Sequence, residues 1–274
     1  MKRARPIAAI VILAAIAYGA YRLFIHAGHL NPAIVTPQMD AQQMVSTSLA
    51  GRVKRLVREH ITYNNRAGRP KLIALTFDDG PYPVTSALLL DELNALKIHA
   101  TFFLIGHDAL LWPNLAQRIA QSGDEIGDHT LTHPNLDQMT DAAVRAEIAQ
   151  GGQTLWHIVH QRSVLRFFRP PHGRYTLGTI RVAQSLVFTT VLWNDDAGDW
   201  RTSKVTPQDL VDHIRRNATA PDIVLLHSGK VATVQMLPQL VSDFRAAGYR
   251  FVTVSQLLTL ASTDEVNHPA KRPV

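Results

Sequence analysis

The sequence predicts an α/β fold built on a parallel sheet, and three observations lead there. Seven short apolar runs recur along the 274-residue chain. Helical patterns separate them, and alternation of strand and helix implies parallel strands joined by crossovers. Polar or titratable residues cluster where the runs end, which is where parallel α/β folds place their chemistry. Seven such units most simply close into a barrel; an open doubly wound sheet is the alternative.

The elements follow in order. Lys2, Arg3 and Arg5 precede an apolar stretch from Ile7 to Tyr21, which extends to Ile25 if Arg22 snorkels. A helix over 7–25 would be about 28 Å long, enough to span a bilayer. Residues 1–25 are therefore read as a transmembrane anchor, with a cleaved signal segment ending near Ala15–Ala17 as the rival. Either reading exports the remainder, because the positive flank stays inside. Residues 26–39 contain two prolines and little periodicity and read as a linker. From Asp40 to Asn64, Met44, Val45, Leu49, Val53, Leu56, Val57 and Ile61 recur at helical spacing, with Arg52, Lys54, Arg55 and Arg58 opposite. The expectation is a basic amphipathic helix packed on the main domain, within a 26–68 connector.

The main domain is read as 69–260, with a polar tail over 261–274. Strands are predicted at Leu72–Phe77, Thr101–Ile105, Glu125–Asp128, Leu165–Phe168, Val187–Trp193, Ile223–Leu226 and Arg250–Val254. Helices are predicted at Val84–Lys97, Pro113–Ser122 and Asp141–His160, with a kink or break at Gly151-Gly152. Two more are expected, one from Thr206-Pro207 to Asn217 and one over Val234–Ala247.

Composition narrows the function. The absence of cysteine removes disulfides and thiolate metal sites. The pI near 9.8 suggests nucleic acid, but its distribution argues otherwise. Residues 1–69 carry ten basic and two acidic side chains, a net of +8; the remaining 205 carry eighteen and twenty, a net of −2. The large domain lacks the basic surplus that phosphate recognition needs.

The first predicted strand ends in "FDDG", two adjacent carboxylates at the mouth of a core. Like charges repel, and burial aggravates the repulsion, so the pair asks for a cation. "DHTLTHP" supplies imidazoles at His129 and His133, after the third strand, where a helical turn would put both on one face. One Asp and two His make three ligands with open positions, the stoichiometry of a catalytic metal site. The second Asp is then free to act as a base. Three further strand ends carry "FRPPHG", "WNDDAGDW" and "IVLLHSG".

These five stretches, in this order, resemble the motifs of the polysaccharide deacetylase family with the NodB-homology domain, carbohydrate esterase family four. They are "TFDDG" (76–80), "HTLTH" (129–133), "RPPHG" (169–173), "DAGDW" (196–200) and "LLH" (225–227). The resemblance covers about Lys71 to Leu260. It implies a distorted (β/α) barrel of about seven strands and a divalent metal, with zinc expected first and cobalt or nickel as alternatives. It also implies Asp79, His129 and His133 as ligands, Asp78 as general base and His227 as general acid. Asp199 would orient His227, and Arg169 would hold Asp78. Trp200 and Leu225 would wall the acetyl pocket, with Pro171 and His172 on the substrate side. Two positions depart from the pattern: His172 stands where Tyr or Phe is usual, and Ser228 where Asp is frequent.

The function so implied is metal-dependent removal of N-acetyl groups from an N-acetylglucosamine-containing glycan. Peptidoglycan, chitin-like oligomers and exopolysaccharide are the expected substrates. O-deacetylation and a catalytically silent glycan-binding module are the rivals. The expected partners are that polysaccharide and, through the N-terminal helix, a membrane. No nucleic acid or protein partner is implied.

Overall fold

The computed structural model describes residues 70–160 and 165–267. The anchor, linker and basic-helix readings for 1–69 lie outside the described residues, as does the end of the tail. Among the described residues no helix is long and apolar enough to cross a membrane.

Eight strands form one sheet: β1 (Leu72–Asp78), β2 (Thr101–Leu104), β3 (Glu125–Asp128), β4 (Phe167–Phe168), β5 (Thr189–Thr190), β6 (Asp195–Asp196), β7 (Asp222–His227) and β8 (Arg250–Phe251). Every pairing is parallel. The order is β5-β4-β3-β2-β1-β7-β6. β7 lines β1 from Ile73 to Asp78; the other edge of β1 pairs with β8 at Leu72–Ile73 and with β2 at Thr76–Asp78. No ladder joins β5 to β6 among the described residues, so the barrel is interrupted there. That agrees with the distorted barrel expected.

The two faces of β1 explain its apolar run. Ile73, Leu75 and Phe77 pack outward against helices α1 (Thr85–Leu96) and α7 (Val231–Ala246), through Leu89, Leu93, Leu237 and Leu240. Leu72 and Ala74 face the interior with Ile223, Val252, Val254 and Leu257, the last two from α8 (Val254–Asn267). Further up the same inner face, alternation places Thr76 and then Asp78. Apolar packing thus fills the lower interior and leaves the top to polar groups. Glu125, opening β3, closes the bottom: its carboxylate accepts from Thr101 Oγ1 (2.9 Å) and from Ser255 N (3.1 Å) in the first turn of α8.

The remaining helices are α2 (Gly106–Leu111), α3 (Pro113–Gln121), α4 (Asp141–Val159), α5 (Leu177–Ser185) and α6 (Pro207–Asn217). α6 opens on the expected signal: Thr206 and Asp209 form a capping box and Pro207 sits in the first turn. Several expectations fail, among them the strands over Leu165–Phe168 and Arg250–Val254, which shrink to Phe167–Phe168 and Arg250–Phe251. The strand expected over Val187–Trp193 pairs only at Thr189–Thr190, because Val187 lies in the left-handed region (φ 67°) and ends a turn from α5. α4 is continuous through Gly151-Gly152 rather than broken. The two glycines serve close approach instead: a Cβ on Gly151 would lie 2.5 Å from Asp128 Oδ1, and one on Gly152 would lie 2.6 Å from Phe188 Cζ. Tertiary contact holds the helix together where propensity alone would end it.

Candidate active site

Asp78 is the last residue of β1 and pairs in register with His227, the last of β7. Period-two alternation puts Thr76, Asp78, Leu225 and His227 on the same inner face. Asp79 follows in the left-handed region (φ 69°), and Gly80 continues it (φ 75°). This sharp turn aims the Asp79 side chain back over the sheet edge. Glycine is required at 80, where a Cβ would come within 2.8 Å of Ser228 Oγ.

The two carboxylates have different neighbours. Asp78 is buried and receives Arg169 Nη1 at 2.7 Å. Asp79 Oδ1 lies 3.2 Å from His133 Nε2 and 3.7 Å from His129 Nε2. Burial would raise the Asp79 carboxyl, but the His133 hydrogen bond and the charges of His129, His133 and His227 bring it down to about 2. One oxygen of Asp79 and one nitrogen from each of His129 and His133 lie within 4.8 Å of one another.

The histidine pair is not on a helical turn, as its spacing suggested. The loop 129–133 reverses through Thr130 (φ 71°) and His133 (φ 61°), both left-handed, and brings the ring centroids to 4.9 Å. His129 Nδ1–H donates to the Arg169 carbonyl at 2.8 Å. That bond fixes the tautomer and leaves the Nε2 lone pair toward Asp78 Oδ2 and Asp79 Oδ1, each 3.7 Å away. Burial lowers the His129 pKa, against the pull of Asp78 and Asp79.

Arg169, just after β4, is fully buried, and its guanidinium ties the ends of β1 and β5 to that strand. It donates to Thr76 Oγ1 (2.8 Å), Asp78 Oδ1 (2.7 Å), Val191 O (3.2 Å) and Leu192 O (3.2 Å). Its Cζ sits 4.0 Å from the Phe103 ring centroid. A buried charge with so many partners is held rigidly, and so is the carboxylate it touches.

His227 is the counterpart across the ladder. Its Nδ1–H donates to Asp199 Oδ1 (2.7 Å) and its backbone N–H to Asp199 Oδ2 (2.8 Å). Thr233 Oγ1 also donates to Oδ2 (2.7 Å), so Asp199 is itself fixed. Burial lowers the His227 pKa, but the bond to Asp199 and its charge outweigh this and raise it. The balance favours the charged ring more than in an ordinary histidine.

The remaining sequence-predicted residues gather round the same opening. Leu225 is buried on β7, paired with Thr76. Pro171 is buried in a short 3-10 turn, while His172 in that turn is left-handed (φ 57°) and exposed, and its ring meets His133 edge-on at 4.5 Å. Trp200 is 52% exposed, and its indole N–H donates to Asp196 Oδ1 at 3.1 Å. Ser228 does not merely replace a carboxylate: its N–H donates to Asp78 O (3.0 Å) and its Oγ to Asp79 O (3.0 Å). Sequence reasoning missed Thr76, Thr233 and Asp128. Thr76 and Thr233 stand within or near motifs but look like ordinary core polar residues. Asp128 was visible only as the residue before His129; it is fully buried, and burial pushes its carboxyl well above the usual range.

Against known proteins, residues 65–191 match the sequence model described as polysaccharide deacetylase. The chain is 37% identical over 193 residues to a peptidoglycan-N-acetylglucosamine deacetylase of Bacillus cereus, covering 69% of this chain and 88% of the relative. It is 33% identical over 157 residues to a chitooligosaccharide deacetylase of Azorhizobium caulinodans, covering 57% and 73%. Among solved structures, peptidoglycan deacetylase PdaC from Bacillus subtilis superposes with a TM-score of 0.66 at 29% identity, over 72% of this chain and 95% of that one.

Proposed function

The chain belongs to the polysaccharide deacetylase family, and from that premise we propose that it removes N-acetyl groups from an N-acetylglucosamine-containing glycan. Peptidoglycan and chitin-like oligomers are the substrates named for its relatives. The observation that supports this most is the placement of a carboxylate and an imidazole, Asp78 and His227, on paired strand ends beside a separate Asp-His-His donor set. Amide hydrolysis needs both a base for water and an acid for the amine.

The family's cofactor is a divalent metal ion, and the donor set fits one. Asp79 is held ionised, and the His129 Nε2 lone pair faces it. Asp79, His129 and His133 would hold the ion, which when bound supplies a Lewis acid for the acetamide carbonyl and acidifies water. Zinc heads the list for a site of one carboxylate and two imidazoles.

Asp78, oriented by Arg169, accepts the proton of the attacking water. His227, kept protonated by Asp199, donates to the departing nitrogen so that it leaves as a neutral amine. Leu225 and the exposed Trp200 bound the place of the acetyl group, and Pro171 and His172 border the sugar. Residues 1–25 hold the domain on the outer side of a membrane, or are cleaved after export.

The test is acetate release from N-acetylglucosamine oligomers by the full chain in detergent. Activity lost to a chelator, restored by Zn²⁺ or Co²⁺ and lower by about 10²–10⁴-fold in Asp78→Asn is the expected result. Metal binding with no acetate release from any N-acetylated glycan, but release from O-acetylated xylan, would replace the reading with an esterase.

A further inference from the structure

The loop that carries the two histidines is in a costly conformation, since Thr130 and His133 both have positive φ. Such a loop persists only where its surroundings over-determine it. An account of its backbone groups shows what does so. His129 N–H donates to Leu104 O, Thr130 N–H to Asp128 Oδ1 and His133 N–H to Thr130 Oγ1. The carbonyls of Thr130 and Leu131 accept from Gly106 and His107 N–H, in the first turn of α2. The two central N–H groups, Leu131 and Thr132, both go to one residue of α4.

That residue is Glu147. Its backbone carbonyl accepts from Leu131 N–H at 3.1 Å, its Oε2 from Thr132 N–H at 2.9 Å and its Oε1 from Thr132 Oγ1 at 2.8 Å. One turn later, on the same face of α4, stands Gly151. A Cβ there would lie 2.6 Å from Thr130 C and 2.8 Å from Leu131 N. Any side chain at 151 would therefore lift the loop from the helix and out of the reach of Glu147.

We infer that Glu147, seated by the bare surface of Gly151, is a positioning residue for His133 and through it for the metal. The inference rests on the metal reading given above. Glu147 bonds to Leu131 and Thr132 and to none of the three ligands. It fixes Thr132, the residue before His133, at both its backbone and its hydroxyl, and so sets where the His133 ring arrives beside Asp79. The plain rival is a surface clasp that adds stability and nothing else. The two differ in what metal affinity does when the clasp is opened in a folded protein.

The experiment uses the full chain, freed of metal and titrated with Co²⁺ against a competing chelator well below the melting temperature, with the cobalt d–d spectrum as a second readout. Glu147→Leu keeps helix propensity and bulk but accepts no hydrogen bond. Affinity should fall about 10–100-fold, the usual cost of losing an outer support of a ligand, and the d–d band should change as His133 shifts. Glu147→Gln, whose amide can pair with both Thr132 groups, should stay within about threefold of the unaltered chain. If Glu147→Leu does not fold, Thr132→Val removes the hydroxyl bond alone and should weaken binding by about threefold or more. Unchanged affinity and spectrum in either folded variant would overturn the inference and leave the clasp. An unaltered chain that binds no Co²⁺ would instead bring down the metal reading itself.

Discussion

At the scale of single residues, the site separates two chemically alike groups by their neighbours. Both lie 3.7 Å from His129 Nε2, but Asp78 adds a buried arginine and Asp79 the His133 imidazole. The same logic sets His227. Its pKa is raised by Asp199 in spite of burial, so it stays protonated to higher pH than an ordinary histidine. A general acid works below its pKa, and activity falls as pH rises through it. Asp199→Asn keeps an acceptor for Nδ1–H but removes the charge, leaving burial to lower the pKa. The alkaline limb of the kcat profile should then move to lower pH. A limb that stays in place would remove His227 from the role of acid. These residues were legible in the sequence because each sits at a strand end beside a motif. Glu147 was not, because it meets Thr132 from 15 positions away and on a helix face that reads as ordinary solvated surface.

At the scale of elements, the glycine pair in α4 separates local preference from tertiary demand. Alanine in a helix interior gains about 1 kcal/mol over glycine, whereas overfilling a packed contact costs about 1–3 kcal/mol. At Gly151 the obstructing atoms are the Thr130 backbone and the buried Asp128 carboxylate, which have no room to move. At Gly152 they are the far end of the Phe188 ring, which is only partly buried. Gly151→Ala should therefore lower stability by about 1–2 kcal/mol, and Gly152→Ala should stay near neutral, as read by denaturant midpoints. Equal losses at both would mean that helix packing in general, and not the loop beneath Gly151, sets the requirement. The kink or break expected at these glycines shows what periodicity omits: it registers the missing side chain, not the neighbour that needs the space. β6, two residues long and absent from the predicted strands, was hidden likewise, since its pairing is supplied by β7.

At the scale of the whole molecule, charge is stored at more places than the site. Asp222, at the start of β7, is fully buried, and burial first, then Asp195, pushes its carboxyl up to about 7, against the Thr219 N–H that pulls it down. An acid whose folded value lies above its unfolded one contributes stability at low pH that is lost as pH rises through about 7. Asp222→Asn retains an acceptor for Thr219 N–H and carries no charge. Its melting temperature should exceed that of the unaltered chain by about 2–4 °C at pH 8 and by little at pH 5; a gain of equal size at both would exclude this carboxylate as the cause. The fold was legible at this scale in its alternation of strand and helix, since apolar runs and caps are local signals. The interruption between β5 and β6 was not, because it depends on which distant edges meet.

The rung shared by Asp78 and His227 has a consequence for descent. The β1–β7 ladder holds six residue pairs, and the groups proposed above as base and acid stand on its last pair. The distance between proton acceptor and proton donor is thus inherited with the sheet and cannot drift one residue at a time. The turns that follow β4 and β6, with His172 and Trp200, are under no such bond. A lineage can therefore exchange one acetylated polymer for another by rewriting its rim, while the reaction passes from ancestor to descendant unaltered.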